Sequence, residues 1–178
     1  MMKMKVLFFC TGVLVACAIQ GTRAVPDEAE AETLTNTIWM HLNGDWQHPP
    51  SDENTPDYRS APATLLRFSK ANQFSMIGCW LSEFKGKLEI SNGDGQAIHV
   101  GVWSRGDQGI IVARHRLVYE MVRPVGGGEY PGPEKQETAL LAGGAVRFRD
   151  QLFTPAEGLS FGEYERFVDA NGSRLKIR

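Results

Sequence analysis

From Ile38 onward the chain alternates between dry and wet residues. Val146 and Phe148 interleave with Arg147 and Arg149, Leu88 and Ile90 with Lys87 and Glu89, and Leu175 and Ile177 with Arg174 and Lys176. Phe74, Met76, Gly78 and Trp80 share one side of their segment, with Gln73 and Ser75 on the other. In an extended chain successive side chains point to opposite faces, so each segment reads as a half-buried strand. The 3.6-residue period of an amphipathic helix is scarce. Residues suited to tight turns recur at short intervals: Asn43-Gly44, Asn92-Gly93-Asp94-Gly95, Ser104-Arg105-Gly106-Asp107 and Asn171-Gly172. Gly and Asn accept positive φ, so these are natural connections between antiparallel strands. The expected fold is all-β, an antiparallel meander of about 8–10 short strands, either closed into a small barrel or stacked as a sandwich. Two stretches read as loops: Gln47 to Pro62, with four prolines, and the Gly- and Pro-rich Pro124 to Gly132. A short helix is expected near Glu134 to Leu141.

The first residues have a different pattern. Lys3 and Lys5 precede an uncharged run from Val6 to Ile19. That run falls short of the ~20 residues that span a bilayer and matches the apolar region of an export signal. Thr22-Arg23-Ala24 offers a cleavage site that leaves Val25 as N-terminus. Leu14-Val15-Ala16-Cys17 resembles the bacterial lipobox, which implies lipid transfer to Cys17 and a membrane tether. The expected organisation is a signal at 1–24, or 1–16 if Cys17 is lipidated, an acidic linker at 25–34, and one domain at 35–178. The location is extracytoplasmic: periplasmic or anchored to the outer membrane in a bacterium, otherwise secreted.

Export changes the charge and cysteine balance. Losing residues 1–24 removes Lys3, Lys5 and Arg23 and takes the formal net charge from −2 to −5. Such a chain lacks the basic excess of a nucleic-acid binder. Of three cysteines only Cys79 lies in the fold, so no intramolecular disulfide is available and the core must supply stability. No dinucleotide or P-loop fingerprint, G-x-S-x-G elbow or H-E-x-x-H pair occurs. No cofactor or catalytic residue is expected.

Gly44-Asp45-Trp46, Gly78-Cys79-Trp80 and Gly101-Val102-Trp103 are G-x-W triplets, with Gly162-Glu163-Tyr164 a relaxed fourth. Residues i and i+2 share a strand face, so the glycine permits a sharp bend and the aromatic fills the space beside it. In these triplets the chain resembles bacterial lipocalin-like barrels of the calycin type. The resemblance implies a meander closed around a central cavity. One departure is that no typical helix is readable before the first strand.

A cavity in such a barrel would be lined by Phe74, Met76, Trp80, Trp103, His115, Leu117 and Tyr119, and would take a small apolar ligand; a barrel filled by its own side chains would instead serve a structural role in the envelope. In Ile110 to Val122 the odd positions form the drier face, and His115 points with it. It could serve as a polar handle, as an axial ligand to haem, or as a neutral histidine satisfied by a carbonyl. His41, Asp45 and His48 are zinc-compatible types whose spacing on a strand or turn does not bring them together. Cys79, between Gly78 and Trp80, reads as a small buried hydrophobe. The alternative function is a protein-interaction or inhibitor module acting through the two long loops.

Overall fold

A computed structural model describes residues 28–48, 58–91, 96–106, 109–120 and 131–172. Nine strands appear in them: β1 Ile38–Leu42, β2 Tyr58–Phe68, β3 Gln73–Phe84, β4 Lys87–Ser91, β5 Ala97–Arg105, β6 Ile110–Glu120, β7 Lys135–Ala142, β8 Ala145–Phe148 and β9 Gln151–Pro155. Helices α1 (Glu28–Thr35) and α2 (Phe161–Gly172) flank them. The sheet runs β2-β1-β9-β8-β7-β6-β5-β3-β4, and β2 also pairs with β3. That last pairing closes eight strands into an antiparallel barrel and leaves β4 outside the ring. Apart from the β4 excursion and the β1–β9 pairing of first with last strand, neighbours in the ring are consecutive in sequence, so the barrel is a meander, as the alternation implies.

Closure removes the sheet edges that would otherwise invite association. Strand β4, outside the ring, keeps a free side, and its donors are used locally: the Leu88 amide donates to the Gly158 carbonyl at 3.2 Å and the Ile90 amide to Glu163 Oε1 at 2.9 Å. Strand β3 serves two partners in turn. Gln73 to Gly78 pairs with β5, and Trp80 to Phe84 with β4.

Two apolar clusters result. The inner one fills the barrel with Trp39, Leu66, Phe68, Phe74, Met76, Trp103, Phe148 and Phe153 among others. The outer one, containing Leu65, Ile77, Cys79, Leu81, Ile98 and Tyr164, lies on the opposite face of β2, β3 and β5. Both faces of β3 are therefore dry, and its Phe74-to-Leu81 run lacks charge. Phe161, Phe167 and Val168 of α2 pack on the outer cluster. The Tyr164 hydroxyl meets Ser75 Oγ at 3.0 Å.

Several expectations are corrected. Lys135–Ala142 is strand β7 rather than a helix; Ala139 and Leu141 alternate inward as the period-two rule requires. Gly162-Glu163-Tyr164 opens α2, so Tyr164 packs from outside and is no strand aromatic. A helix does precede the first strand. α1 occupies most of the expected acidic linker and ends one residue beyond it, and its Leu34 is fully buried in the inner cluster, where the Trp39 indole donates to the Leu34 carbonyl at 3.2 Å. Pro62 lies inside β2 opposite Trp80, one residue past the end of the β1 pairing, and its carbonyl accepts from the Asn43 amide. Most of the Gln47 to Pro62 and Pro124 to Gly132 loops, the leader with Cys17, and Arg174 to Ile177 lie outside the described residues.

Candidate functional site

A bulge in the wall decides which residues line the interior. Along β5–β6, Gly101 faces His115, His99 faces Leu117, but Ile98 faces Tyr119, with a register shift between Ile98 and His99. An extra residue on β6 reverses the side-chain sense beyond it. Leu117 keeps the inner sense of His115, whereas Tyr119 turns outward and packs on the outer cluster. Tyr119 thus leaves the expected lining. Trp80 stands on the inner side of β3 but beyond its pairing with β5, half-buried opposite Pro62 and Ser91. Phe74, Met76 and Trp103 are in the barrel as expected, and Leu117 is half-buried, its carbonyl bonded by the Gly132 amide.

Gly101 explains how His115 fits. A Cβ there would overlap the Arg114 carbonyl oxygen and come within 2.5 Å of His115 Cα. The backbones of β5 and β6 are closer than any side chain would allow. The inward-facing glycine of the third triplet therefore has a strict steric role.

His115 is 1% exposed and is not held by a carbonyl. Its Nε2 lies 2.9 Å from Glu137 Oε2, and its Nδ1 lies 3.3 Å from His99 Nδ1. Glu137, diagonal to it on β7, also accepts from Arg149 Nε at 3.0 and 2.8 Å. A chain of polar groups, His99–His115–Glu137–Arg149, crosses from β5 to the β8–β9 turn. Phe74 and Phe148 flank it, with ring centroids 5.3 and 6.5 Å from His115. The turn is held by Arg149 and Asp150 at φ of 50° and 60°.

The surroundings set the charge states. Burial alone would raise the Glu137 carboxyl, but hydrogen bonds from Arg149 and His115 and the Arg149 charge outweigh it and hold the group below its ordinary value. Desolvation, then the neighbouring His115, Arg149 and Lys135, lower His99 to about 4, with a smaller opposing pull from Glu137. His99 is therefore neutral at physiological pH. Burial pushes the Cys79 thiol up to about 12, which makes it inert packing.

His99 lines a pocket of about 160 Å³ at the barrel mouth, together with Thr64, Met76, Gly78, Ala97, Phe148, Arg149, Gln151 and Phe153. Met76, Phe148 and Phe153 supply buried apolar surface, while His99, Arg149 and Gln151 supply polar atoms. Two larger depressions, about 590 and 690 Å³, are on the outside of the wall. The first runs between α2 and β5, and its Arg67 and Glu165 are already paired at 2.7 Å. The polar chain reaches two of these linings: Glu137 and Arg149 border the 690 Å³ depression, while the smaller mouth holds His99, the inner end of the chain, beside Arg149 and three buried apolar side chains.

His41 and His48 do not combine with Asp45. His41 Nδ1 faces the Leu152 carbonyl and His48 Nδ1 the Tyr58 carbonyl, and among the described residues no group of three His, Cys, Asp or Glu side chains is placed to hold a metal ion. Haem ligation by His115 is likewise excluded by geometry, because both its nitrogens face protein partners inside a packed core. His99, Glu137, Arg149 and Phe148 were absent from the expected lining. Counting back by twos from Trp103 through Gly101 reaches His99 on the same face, a signal present in the third triplet. Reading Glu134 to Leu141 as a helix hid Glu137. Comparison with protein-family models, with curated proteins and with solved structures finds no match to this chain.

Proposed function

We propose that this protein is an exported, non-catalytic barrel of lipocalin-like type that binds a small ligand at its mouth. The observation that carries this reading is the mouth pocket, with its apolar wall of Met76, Phe148 and Phe153 and its polar groups His99, Arg149 and Gln151. The mouth is smaller than the usual small-molecule site and its lining is about equally polar and apolar, which suits a single ring with a polar edge. The Trp- and Phe-filled remainder of the barrel restricts the ligand to about one ring, since a cavity near 150 Å³ accommodates a benzene-sized molecule. The expected small apolar ligand is thereby refined to one with a polar edge.

Export rests on the Lys3/Lys5 leader and its uncharged run, and a membrane tether on Leu14-Val15-Ala16-Cys17. Intact mass of protein from its own host separates the two endings: a lipid-modified chain starting at Cys17, or an unmodified one starting at Val25. For the site, native mass spectrometry is expected to show a small bound molecule, or single-ring compounds are expected to raise the Tm. A ligand-free protein whose Tm no such compound moves would remove the binding claim.

A second reading as an interaction module is favoured by one observation. Ile110, Leu140 and Leu152 are 40%, 41% and 53% exposed and share one row of the outer wall, with Arg147 of β8 between Leu140 and Leu152. Under that reading Leu140→Glu abolishes partner association and leaves ring binding intact.

A further inference from the structure

The polar chain behind the mouth fixes which hydrogen bond the pocket can offer. Glu137 is a carboxylate and can only accept, so His115 Nε2 carries a proton and donates to it. Arg149 already supplies the positive charge that Glu137 pairs with, so His115 needs only the Nε2 proton, and a second one would bury a charge without a counter-ion. Its lone pair is then on Nδ1. His99 Nδ1, 3.3 Å away, must donate to that lone pair. A neutral His99 protonated on Nδ1 has a bare lone pair on Nε2, and no partner for that atom occurs among the described residues. On the same rim the Arg149 guanidinium is engaged through Nε, which leaves its terminal N–H groups to donate.

We propose that the mouth selects a single-ring molecule bearing a neutral hydroxyl, a phenol-type ligand, whose O–H donates to His99 Nε2 and whose oxygen accepts from Arg149. This rests on the mouth being the binding site and adds the class of ligand. The hydroxyl satisfies one acceptor and one donor together. A plain hydrocarbon ring leaves the His99 lone pair desolvated and unpaired. A carboxylate brings two acceptors against an acceptor, and protonating His99 to accommodate it is opposed by burial and by the Arg149 and Lys135 charges. A buried polar group left unpaired discriminates more strongly than an extra methylene does.

The test compares phenol, toluene and benzoate by titration calorimetry on the purified protein near neutral pH. Phenol is expected to bind at least about tenfold more tightly than either of the others. His99→Leu is expected to erase the advantage over toluene while toluene binding persists. Phenol binding no better than toluene, or an advantage that survives His99→Leu, would overturn the inference and leave the mouth as a site. Absence of binding by all three would overturn the mouth as a site and the inference with it. A readout that needs no variant is the tautomer itself. ¹⁵N NMR of the imidazoles is expected to show His99 protonated on Nδ1 and His115 on Nε2, and a protonated His99 Nε2 would contradict the proposal.

Discussion

The inside and the outside of this barrel wall are both dry, yet they are organised differently. Beneath α2 the outer cluster is plain packing: Leu65, Ile77, Leu81 and Ile98 fill it, Cys79 is inert, and Tyr164 spends its hydroxyl on Ser75. Inside, the aromatics Trp39, Phe74, Phe148 and Phe153 surround a histidine, a carboxylate and an arginine joined end to end. Burying such groups costs free energy unless each is paired, and a hydrophobic filling would serve stability at least as well. Under the proposed reading, the polar chain marks the side of the wall that binds ligand, and the outer cluster marks the side that holds the sheet.

The sharpest contrast is between two glycines. Gly101→Val forces a side chain into the Arg114 carbonyl, a backbone group that cannot rotate away, and is expected to cost about 3 kcal/mol or more. Gly162→Ala, in α2 with nothing within 4 Å of the added carbon, is expected to be neutral or stabilising by up to about 1 kcal/mol. Urea unfolding of both variants measures this, and equal losses would show that the inner wall has no special tightness.

Side-chain truncation should follow the same divide. Phe148→Ala removes a ring that packs on Phe74, His115 and Phe153, and about 3–5 kcal/mol is expected to be lost in chemical denaturation. Tyr164→Phe keeps the outer packing and gives up the hydroxyl's two hydrogen bonds to Ser75, one with Oγ and one to the carbonyl, for about 1–2 kcal/mol.

Much of this divide was legible in the chain. Alternation showed the meander, and the Gly101-Val102-Trp103 triplet marked the bend that seats His115. The outward turn of Tyr119 was not legible, because the bulge opposite Ile98 and His99 is set by the pairing of two strands and leaves no mark on either alone. Nor was the pairing of His115 with Glu137, which lies 22 residues away on the next strand of the barrel. The α2 helix was missed because Gly162-Glu163-Tyr164 fits a strand triplet, and the outer face of β3, which α2 covers, is recognisable only once the register is known.

Acid should weaken the inside before the outside. The folded His99 resists protonation, whereas the unfolded chain takes up that proton near pH 6.5, so stability falls as pH drops from about 6.5 toward 4. Glu137, whose pKa is depressed, adds a loss of the same sign: its contribution is present above the unfolded carboxylate value near 4.5 and disappears as pH falls through the folded one. Tm against pH is expected to slope less steeply in His99→Leu than in the parent. An identical slope would show that His99 does not report the burial described.

The smallest effect concerns Cys79. With its thiol pushed up to about 12, native protein at pH 8 should resist iodoacetamide and react only in denaturant. Rapid alkylation of the folded protein would show that the outer cluster opens readily.

The contrast between the two sides comes down to where a ligand sits, and amide and methyl NMR during a phenol titration reads it directly. Shifts are expected at Thr64, Met76, Gly78, Ala97, His99 and Gln151, around the mouth. Shifts concentrated instead at Ser75, Val100, Val102 and Val168, along the outer groove beneath α2, would contradict the inside as the functional side of the wall.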